Sequence, residues 1–415
     1  MSHAATLSGA APAPRLPGYA LFAGMLAAAG LPVYIHAPKV YADAHGVSLA
    51  ALGTVLFALR LIDVVQDPAL GWLAARSARW RGLAVSVAAA MIAGGMLGLF
   101  AIAPPVAPLV WFALMLTLVF SAFSFLTICM YAEGVAAADR LPGAGHLRLA
   151  RWRETGALLG ICAAATAPTL LGGYAGFALA FVALVVVAWL AMVGQWQGGG
   201  DGTAATGFGT VLRDARARRL LAVALVNAAP VAVTSTLFLF FVESRLAAPG
   251  WEGSYLVLFF LSAACAAPLW GALAERYGAK RMLLWAMGVS IVAFGWAVTL
   301  GAGDLVAFAV ICVVSGAATG ADMTLLPALF ARRMAAIAPG GAEGFGLWAF
   351  VSKFTLALAA VAVLPTLEAG GFRAGGENDA QALWLLALMY GGLPCLLKLG
   401  AIALLLRTDL DDGKG

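Results

Sequence analysis

Apolar residues run along this chain in blocks of roughly 18 or more, broken by short clusters of charge, glycine and proline, from Leu16 almost to the C-terminus. A block of that length is what a helix needs to cross a hydrocarbon layer about 30 Å thick. Reading each block as a helix places six near 16–36, 47–73, 83–103, 108–135, 149–171 and 174–194. After a glycine-rich, charged stretch from Gly198 to Arg219, six more lie near 218–243, 252–274, 280–300, 304–334, 342–370 and 380–407. The pattern predicts an all-α integral membrane fold of twelve transmembrane helices in two pseudo-symmetric bundles of six. The first bundle covers residues 1–194 and the second 218–415, with a loop at 195–217 between them.

An internal repeat supports the two-bundle reading. Pro68-Ala-Leu-Gly71-Trp-Leu73-Ala74-Ala-Arg76 returns 200 residues later as Pro268-Leu-Trp-Gly271-Ala-Leu273-Ala274-Glu-Arg276, and Arg81 matches Arg281 at the same offset. Each copy closes an even-numbered helix and enters a basic turn, as two halves related by a pseudo-twofold axis require.

Composition removes the alternative of a soluble core. The chain is 63% hydrophobic and 11% charged, against about 25% charged in an ordinary soluble domain. The net charge of +5 could suggest nucleic acid, but its placement decides otherwise. Nineteen of the 25 basic residues fall on the side carrying the termini, and only Lys39, Arg245 and Arg373 on the other. Cytoplasmic loops accumulate Lys and Arg, so both termini are expected in the cytoplasm of a multi-pass inner (plasma) membrane protein. The first apolar run shows no obvious cleavage site and is expected to remain as helix one. The five cysteines stand singly in apolar runs and read as small core residues rather than metal ligands or disulfides. The histidines (His3, His36, His45, His146) lie in the N-terminus or loops, and no Gly-x-Ser-x-Gly elbow occurs, so no enzyme active site is expected.

Three basic residues, Arg60, Lys353 and Lys398, fall inside predicted spans. Helix two carries Arg60, Asp63 and Asp67, whose spacings of three and four put them on one helical face. Each charge near the bilayer centre costs on the order of 2.5–3.5 kcal/mol, so the set must face protein or water and pair internally. The triad is either an ion-pair lock or, with one carboxylate left over, a cation site. The repeat favours the second: at the same offset helix eight has Phe260, Ala263 and Ala267, so the charges are an addition to the scaffold. Lys353, about ten residues into helix eleven, either snorkels to an interface or faces a cavity near Asp63 and Asp67. Asp322, in the small-residue run of helix ten, is either a proton site or a cap-like bond at a kink. Glu133 at the end of helix four is placed to pair with Arg153 across a short loop, as a gate or a lock. Tyr131, Trp348 and Tyr34 either stack on a solute or anchor at the membrane interface.

The basic-turn repeat resembles the loop signature of major facilitator transporters: Gly71, Arg76, Arg81, Gly271, Arg276 and Arg281 carry it. The string Arg60-Leu-Ile-Asp63-Val-Val-Gln66-Asp67-Pro68-Ala-Leu-Gly71 is more specific, and resembles the helix-two signature of the glycoside-pentoside-hexuronide:cation symporter family. Tyr131-Ala-Glu133-Gly134, Arg151-Trp-Arg153-Glu154 and Gly344-Phe-Gly346-Leu-Trp348 with Lys353 extend the likeness over essentially the whole chain. That resemblance implies a cation site at Asp63 and Asp67 with Gln66 assisting, Lys353 as a coupling residue and Arg153 as a substrate-side or gating residue. Sugar-binding members are expected to carry acids in helices one and four. Here Leu16 to Tyr34 has no carboxylate and Phe120 to Thr127 offers only Ser121, Ser124 and Thr127, which argues against a galactoside. The acidic run expected after helix ten is replaced by Ala331-Arg332-Arg333-Met334.

The resulting expectation is a symporter of a small solute driven by sodium or protons, with Arg60, Lys353 and Asp322 in its charge network. It needs no cofactor beyond the coupling ion and no structural metal, its partners are the solute and the lipid bilayer, and it works as a monomer. The rival expectations are a carrier of amphiphilic substrates and a non-transporting membrane assembly or sensor protein.

Overall fold

The computed structural model describes residues 13–196, 207–338, 342–373 and 377–408. The first half holds α1 (Leu16–His45), α2 (Leu49–Arg76), α3 (Arg81–Phe100), α4 (Pro108–Asp139), α5 (Gly145–Leu170) and α6 (Tyr174–Met192). A short α7 (Gly207–Arg213) leads into α8 (Ala215–Phe240), α9 (Glu252–Tyr277), α10 (Ala279–Ala297), α11 (Leu305–Ile337), α12 (Ala342–Ala369), α13 (Ala380–Ala387) and α14 (Leu393–Leu406). Widened π-turns at Phe241–Arg245, after α8, and Leu388–Gly392, between α13 and α14, let each of these segments run on as one span. With α13 and α14 counted together, the long helical spans among the described residues number twelve, in two bundles of six.

Seven helices are apolar and long enough to cross a bilayer on composition alone among the described residues. Helices α1, α2, α5, α10 and α12 are not among those seven. Of these, α2, α5 and α12 carry charges that pair internally, as described below.

The helix ends follow ordinary capping chemistry. The Ser48 side chain accepts from Ala51 N at the start of α2, Asp214 from Ala217 N at α8 and Asp379 from Ala382 N at α13. Asp214 is also gripped by the Arg333 guanidinium of α11, whose hydrogen bonds hold its carboxyl below the usual range. Prolines 68, 168, 230, 268, 327 and 365 sit inside helices, tolerated because neighbouring groups re-satisfy the freed backbone in a membrane bundle.

Small residues set the closest approaches, as expected where lipid offers helices no hydrophobic drive to associate. A Cβ on Gly156 of α5 would lie 2.1 Å from Ala20 O of α1, and one on Gly316 of α11 would lie 2.3 Å from Phe259 O of α9. The two halves meet along α2 with α12 and along α5 with α9. At the first seam the repeat glycine Gly71 faces Gly346, and a Cβ on either would lie 3.0 Å from the other's Cα. At the second, Gly271 faces the Arg151 side chain, and Arg151 pairs with Glu275 at 3.7 Å. Both contacts lie toward the end that bears the termini, where the halves are held shut.

Several expectations need correction. Helix one continues past 36 to His45, and α7 occupies part of the expected 195–217 loop. The repeat arginines differ in role: Arg81 is buried and caps the α2 C-terminus through Ala74 O at 2.9 Å, whereas Arg281 is exposed. Lys280 caps instead, donating to Leu406 O and Thr408 O. Arg76 and Arg276 lie over the Trp72 and Tyr277 rings. Of the cysteines, Cys129 and Cys312 are buried, but Cys265 is exposed.

The glycine seam makes a prediction. Gly346→Val must push α12 off Gly71 and off Asp67 O, which a new Cβ would meet at 3.1 Å. It is expected to lower stability by about 1–3 kcal/mol, read as earlier thermal unfolding in detergent, with Gly346→Ala intermediate. Unchanged melting would mean that α2 and α12 are not in contact there.

Candidate functional site

Gly71 follows Asp67 by one helical turn, so the acidic face of α2 sits directly above the glycine seam with α12. Both carboxylates are buried, Asp63 at 2% and Asp67 at 0% exposure. Lys353 of α12, from the opposite half, reaches between them, with Nζ 3.1 Å from Asp67 Oδ1 and 3.5 Å from Asp63 Oδ2. It also donates to Ser124 Oγ of α4 at 2.6 Å. Gln66 Nε2 donates to Asp63 Oδ1 at 2.6 Å, and Ser121 Oγ donates to Gln66 Oε1 at 3.1 Å. Ser121 and Ser124, three apart on α4, thus brace the same cluster. The Lys353 ammonium turns inward onto the carboxylates of α2. The side chains of Arg60 and Tyr34 lie outside the described residues.

Counted among Asp63, Asp67 and Lys353, the cluster carries one negative charge when all are ionised. Asp67 Oδ2 is buried without a hydrogen-bond partner. The site therefore presents oxygen acceptors, an amide and a tethered ammonium. Oxygen donors of this kind suit a proton or a hard cation, and Lys353 is the group that such an ion would displace.

The remaining candidate residues gather elsewhere. Arg153 is buried and makes its ion pair with the adjacent Glu154, Nε to Oε1 at 2.7 Å. Its guanidinium lies 3.8 Å from the centroid of the Tyr131 ring, whose hydroxyl donates to the same Glu154 oxygen. Arg153 pairs with Glu154, its side chain folding back onto its own helix and the α4 aromatic. Glu133 is buried within α4. Tyr131 packs on Phe345 with centroids 4.8 Å apart, and Trp348 on Phe330 at 5.0 Å, so these aromatics join α4, α11 and α12 on the termini side of the cluster.

Asp322 does not join Lys353. It pairs with Lys398 of α14, and Lys398 Nζ also donates to Asn227 Oδ1 of α8 at 2.7 Å. That corrects its place in the expected network and its reading as a cap-like bond. Lys398 carried a signal in the sequence as one of three basic residues inside a span, but nothing in sequence spacing links residues 227, 322 and 398.

Away from the termini, a cavity of about 610 Å³ opens at the α5–α9 seam. His36 of α1, Ile161 and Cys162 of α5, and Ser254, Val257 and Phe260 of α9 line it. His36 Nδ1 lies 3.2 Å from the Tyr174 hydroxyl.

A family model described as MFS/sugar transport protein matches residues 17–412. The chain belongs to that family. It is a multi-pass membrane transporter of the major facilitator fold. The chain also resembles solved structures: a bacterial homologue of the iron transporter ferroportin in an outward-facing state, at 16% identity over 95% of this chain and 99% of that one, has a TM-score of 0.67. The human organic anion transporter MFSD10 (TETRAN), at 15% identity over 94% and 98% of the chains, has a TM-score of 0.62. At such identities the likeness is one of fold. No curated protein sequence matches the chain.

The cluster generates a prediction for this transporter. Lys353→Met strands two buried carboxylates, and breaking a buried pair in this way costs on the order of 3 kcal/mol. Lys353→Met combined with Asp67→Asn is expected to recover part of that loss in thermal unfolding. Equal destabilisation of the single and the double variant would mean that the three groups do not interact.

Proposed function

We propose that this protein is a cation-coupled symporter, in which sodium or a proton binds at Asp63 and Asp67 and a small solute binds between the two halves. The observation that carries this is the Lys353 ammonium from one half seated on the buried carboxylates of the other. The likeness of the helix-two string to the glycoside-pentoside-hexuronide:cation symporters supports the same reading.

The mechanism follows from the geometry. A cation entering the acidic pair takes over the role of Lys353 as counter-charge, with Gln66 as an auxiliary oxygen donor. Lys353 and α12 are then free to move relative to α2. Cation binding shifts the balance of conformations only by its differential affinity for them, and the exchange of counter-ions supplies that difference. The N-terminal half (1–194) and the C-terminal half (218–415) rock about the site, carried by the short α7 connection within 195–217. The Gly71–Gly346 contact, the Arg151–Glu275 pair and the aromatics around Trp348 form the gate on the termini side, which the bias in basic residues assigns to the cytoplasm of the inner membrane. Arg153, tied to Glu154 and Tyr131, stiffens that gate from α5.

The cavity at the α5–α9 seam supports a second reading of the solute. Among the described residues its wall is mainly apolar and holds no carboxylate, which favours an amphiphilic molecule over a sugar. Competition of flux by lysolipids rather than by sugars separates the two.

The coupling ion is tested by thermal unfolding of the purified protein in sodium, lithium and potassium and across pH. A ligand held only by the folded state stabilises it by about 2.7 kcal/mol at roughly a hundredfold excess over Kd. A sodium-selective gain lost in Asp63→Asn and Asp67→Asn is expected for sodium coupling, and a pH-dependent gain lost in the same variants for proton coupling. If no cation or pH stabilises the wild type and both variants merely melt earlier, the cluster is a structural lock.

A further inference from the structure

A second set of charges lies wholly inside the C-terminal half. Lys398 of α14 reaches between α8 and α11 to bond Asn227 Oδ1 at 2.7 Å and to pair with Asp322 Oδ2. Lys398, Asn227 and Asp322 are 2%, 4% and 9% exposed. The second carboxylate oxygen, Asp322 Oδ1, is buried with no hydrogen-bond partner. A carboxylate with one oxygen bonded and one bare is under-satisfied in a low-dielectric interior, where each missing hydrogen bond is costly.

We propose that Asp322, Lys398 and Asn227 form a second proton-binding site, separate from the α2 cluster. Burial of all three side chains leaves room for a proton and none for a solute. Uptake is a simple addition: Asp322 carboxylate takes one proton to become a neutral carboxylic acid, no other bond breaks, and the Lys398 ammonium passes from the carboxylate to Asn227. Asn227 is the reason the site can switch, because it offers the freed ammonium an acceptor already in place. The three groups sit on three helices of one half, so the exchange alters packing among α8, α11 and α14 rather than the seam between halves.

Other titratable groups around the site are engaged or distant. On α12, Lys353 is committed to Asp67 and Ser124. On α14, Cys395 donates to Ile291 O of α10, and Cys312 lies almost three turns before Asp322 on α11. Tyr390 stacks on Phe241, and Cys265 of α9 is exposed. The charges of α4 and α5 include Glu133, Asp139, His146, Arg151, Arg153 and Glu154, of which His146 lies against Asp139 and feels Arg332 near the end of α11. Of these Arg153 and Glu154 pair with each other, and Arg151 pairs with Glu275 of α9. The remaining charges of α8, α9, α10, α11 and α14 lie at helix ends.

Infrared titration of the carboxyl band in the full-length purified protein, with protons as the only added ligand, tests the proposal. Over the range in which carboxylates titrate, wild type is expected to show a protonating carboxyl that persists in the Asp63→Asn/Asp67→Asn variant and disappears in Asp322→Asn. Asp322→Glu keeps the charge, and so guards against a variant that fails to fold; it is expected to move the band to the glutamic-acid position. Lys398→Met removes the counter-charge, so the band should appear at a proton concentration at least about tenfold lower. A band that Asp322→Glu leaves unmoved, or one lost only with Asp63 and Asp67, would overturn the assignment to Asp322 while leaving the α2 site standing.

Discussion

A carboxylate in a membrane interior must find a counter-charge, and in this protein the counter-charge for α2 comes from the other half of the molecule. Lys353 on α12 is held between Asp63 and Asp67, so the electrostatics of the site and the contact between the halves are the same interaction. The close approach that brings them together depends on glycine at positions 71 and 346, and the braces on α4, Ser121 and Ser124, hold the amide and the ammonium in place. A cation that replaces Lys353 therefore acts on the seam directly, with no need for a relay across the fold.

The pseudo-twofold relation between the halves is broken at the two seams. The α2–α12 seam buries its charges at Asp63, Asp67 and Lys353, while at the α5–α9 seam Leu158 packs on Ala263, Ala264 and Ala267 and the ion pair, Arg151–Glu275, sits part-exposed toward the termini-side end. The C-terminal half places its own carboxylate on α11, against a lysine from α14. Buried acids of each half thus meet a lysine, Asp63 and Asp67 meeting Lys353 and Asp322 meeting Lys398, but only the first set straddles the interface. The repeat arginines show the same divergence on a smaller scale, Arg81 buried as a helix cap and Arg281 exposed.

Local pattern carried most of the fold and part of the site. Twelve apolar blocks, the central break and the repeated Pro-Gly-Arg turn are period and composition signals, and they survive without knowledge of packing. The acidic face of α2 was legible for the same reason, since residues 63 and 67 are one turn apart, and the cost of burying them demanded a partner. What sequence could not rank was the choice among partners. The sequence offered Glu133 to Arg153, and the pairing of its guanidinium with the adjacent Glu154 over the Tyr131 ring depends on tertiary placement. Asp322, Lys398 and Asn227 are separated by 76 and 171 residues along the chain, and their meeting depends on how α14 packs behind α8 and α11. Extension of α1 to His45 and the widened turns at 241–245 and 388–392 are likewise set by tertiary contacts.

The central claim is that a cation exchanges with Lys353 and so loosens the α2–α12 seam. Distances between spin labels at the termini-side ends of these two helices, measured by pulsed electron resonance with and without sodium and at acid pH, address it most directly. A distance distribution that shifts with one of these ions in wild type, and stays fixed in Asp63→Asn/Asp67→Asn, is the predicted result. A distribution indifferent to both ions, or one that shifts equally in the variant, would contradict it.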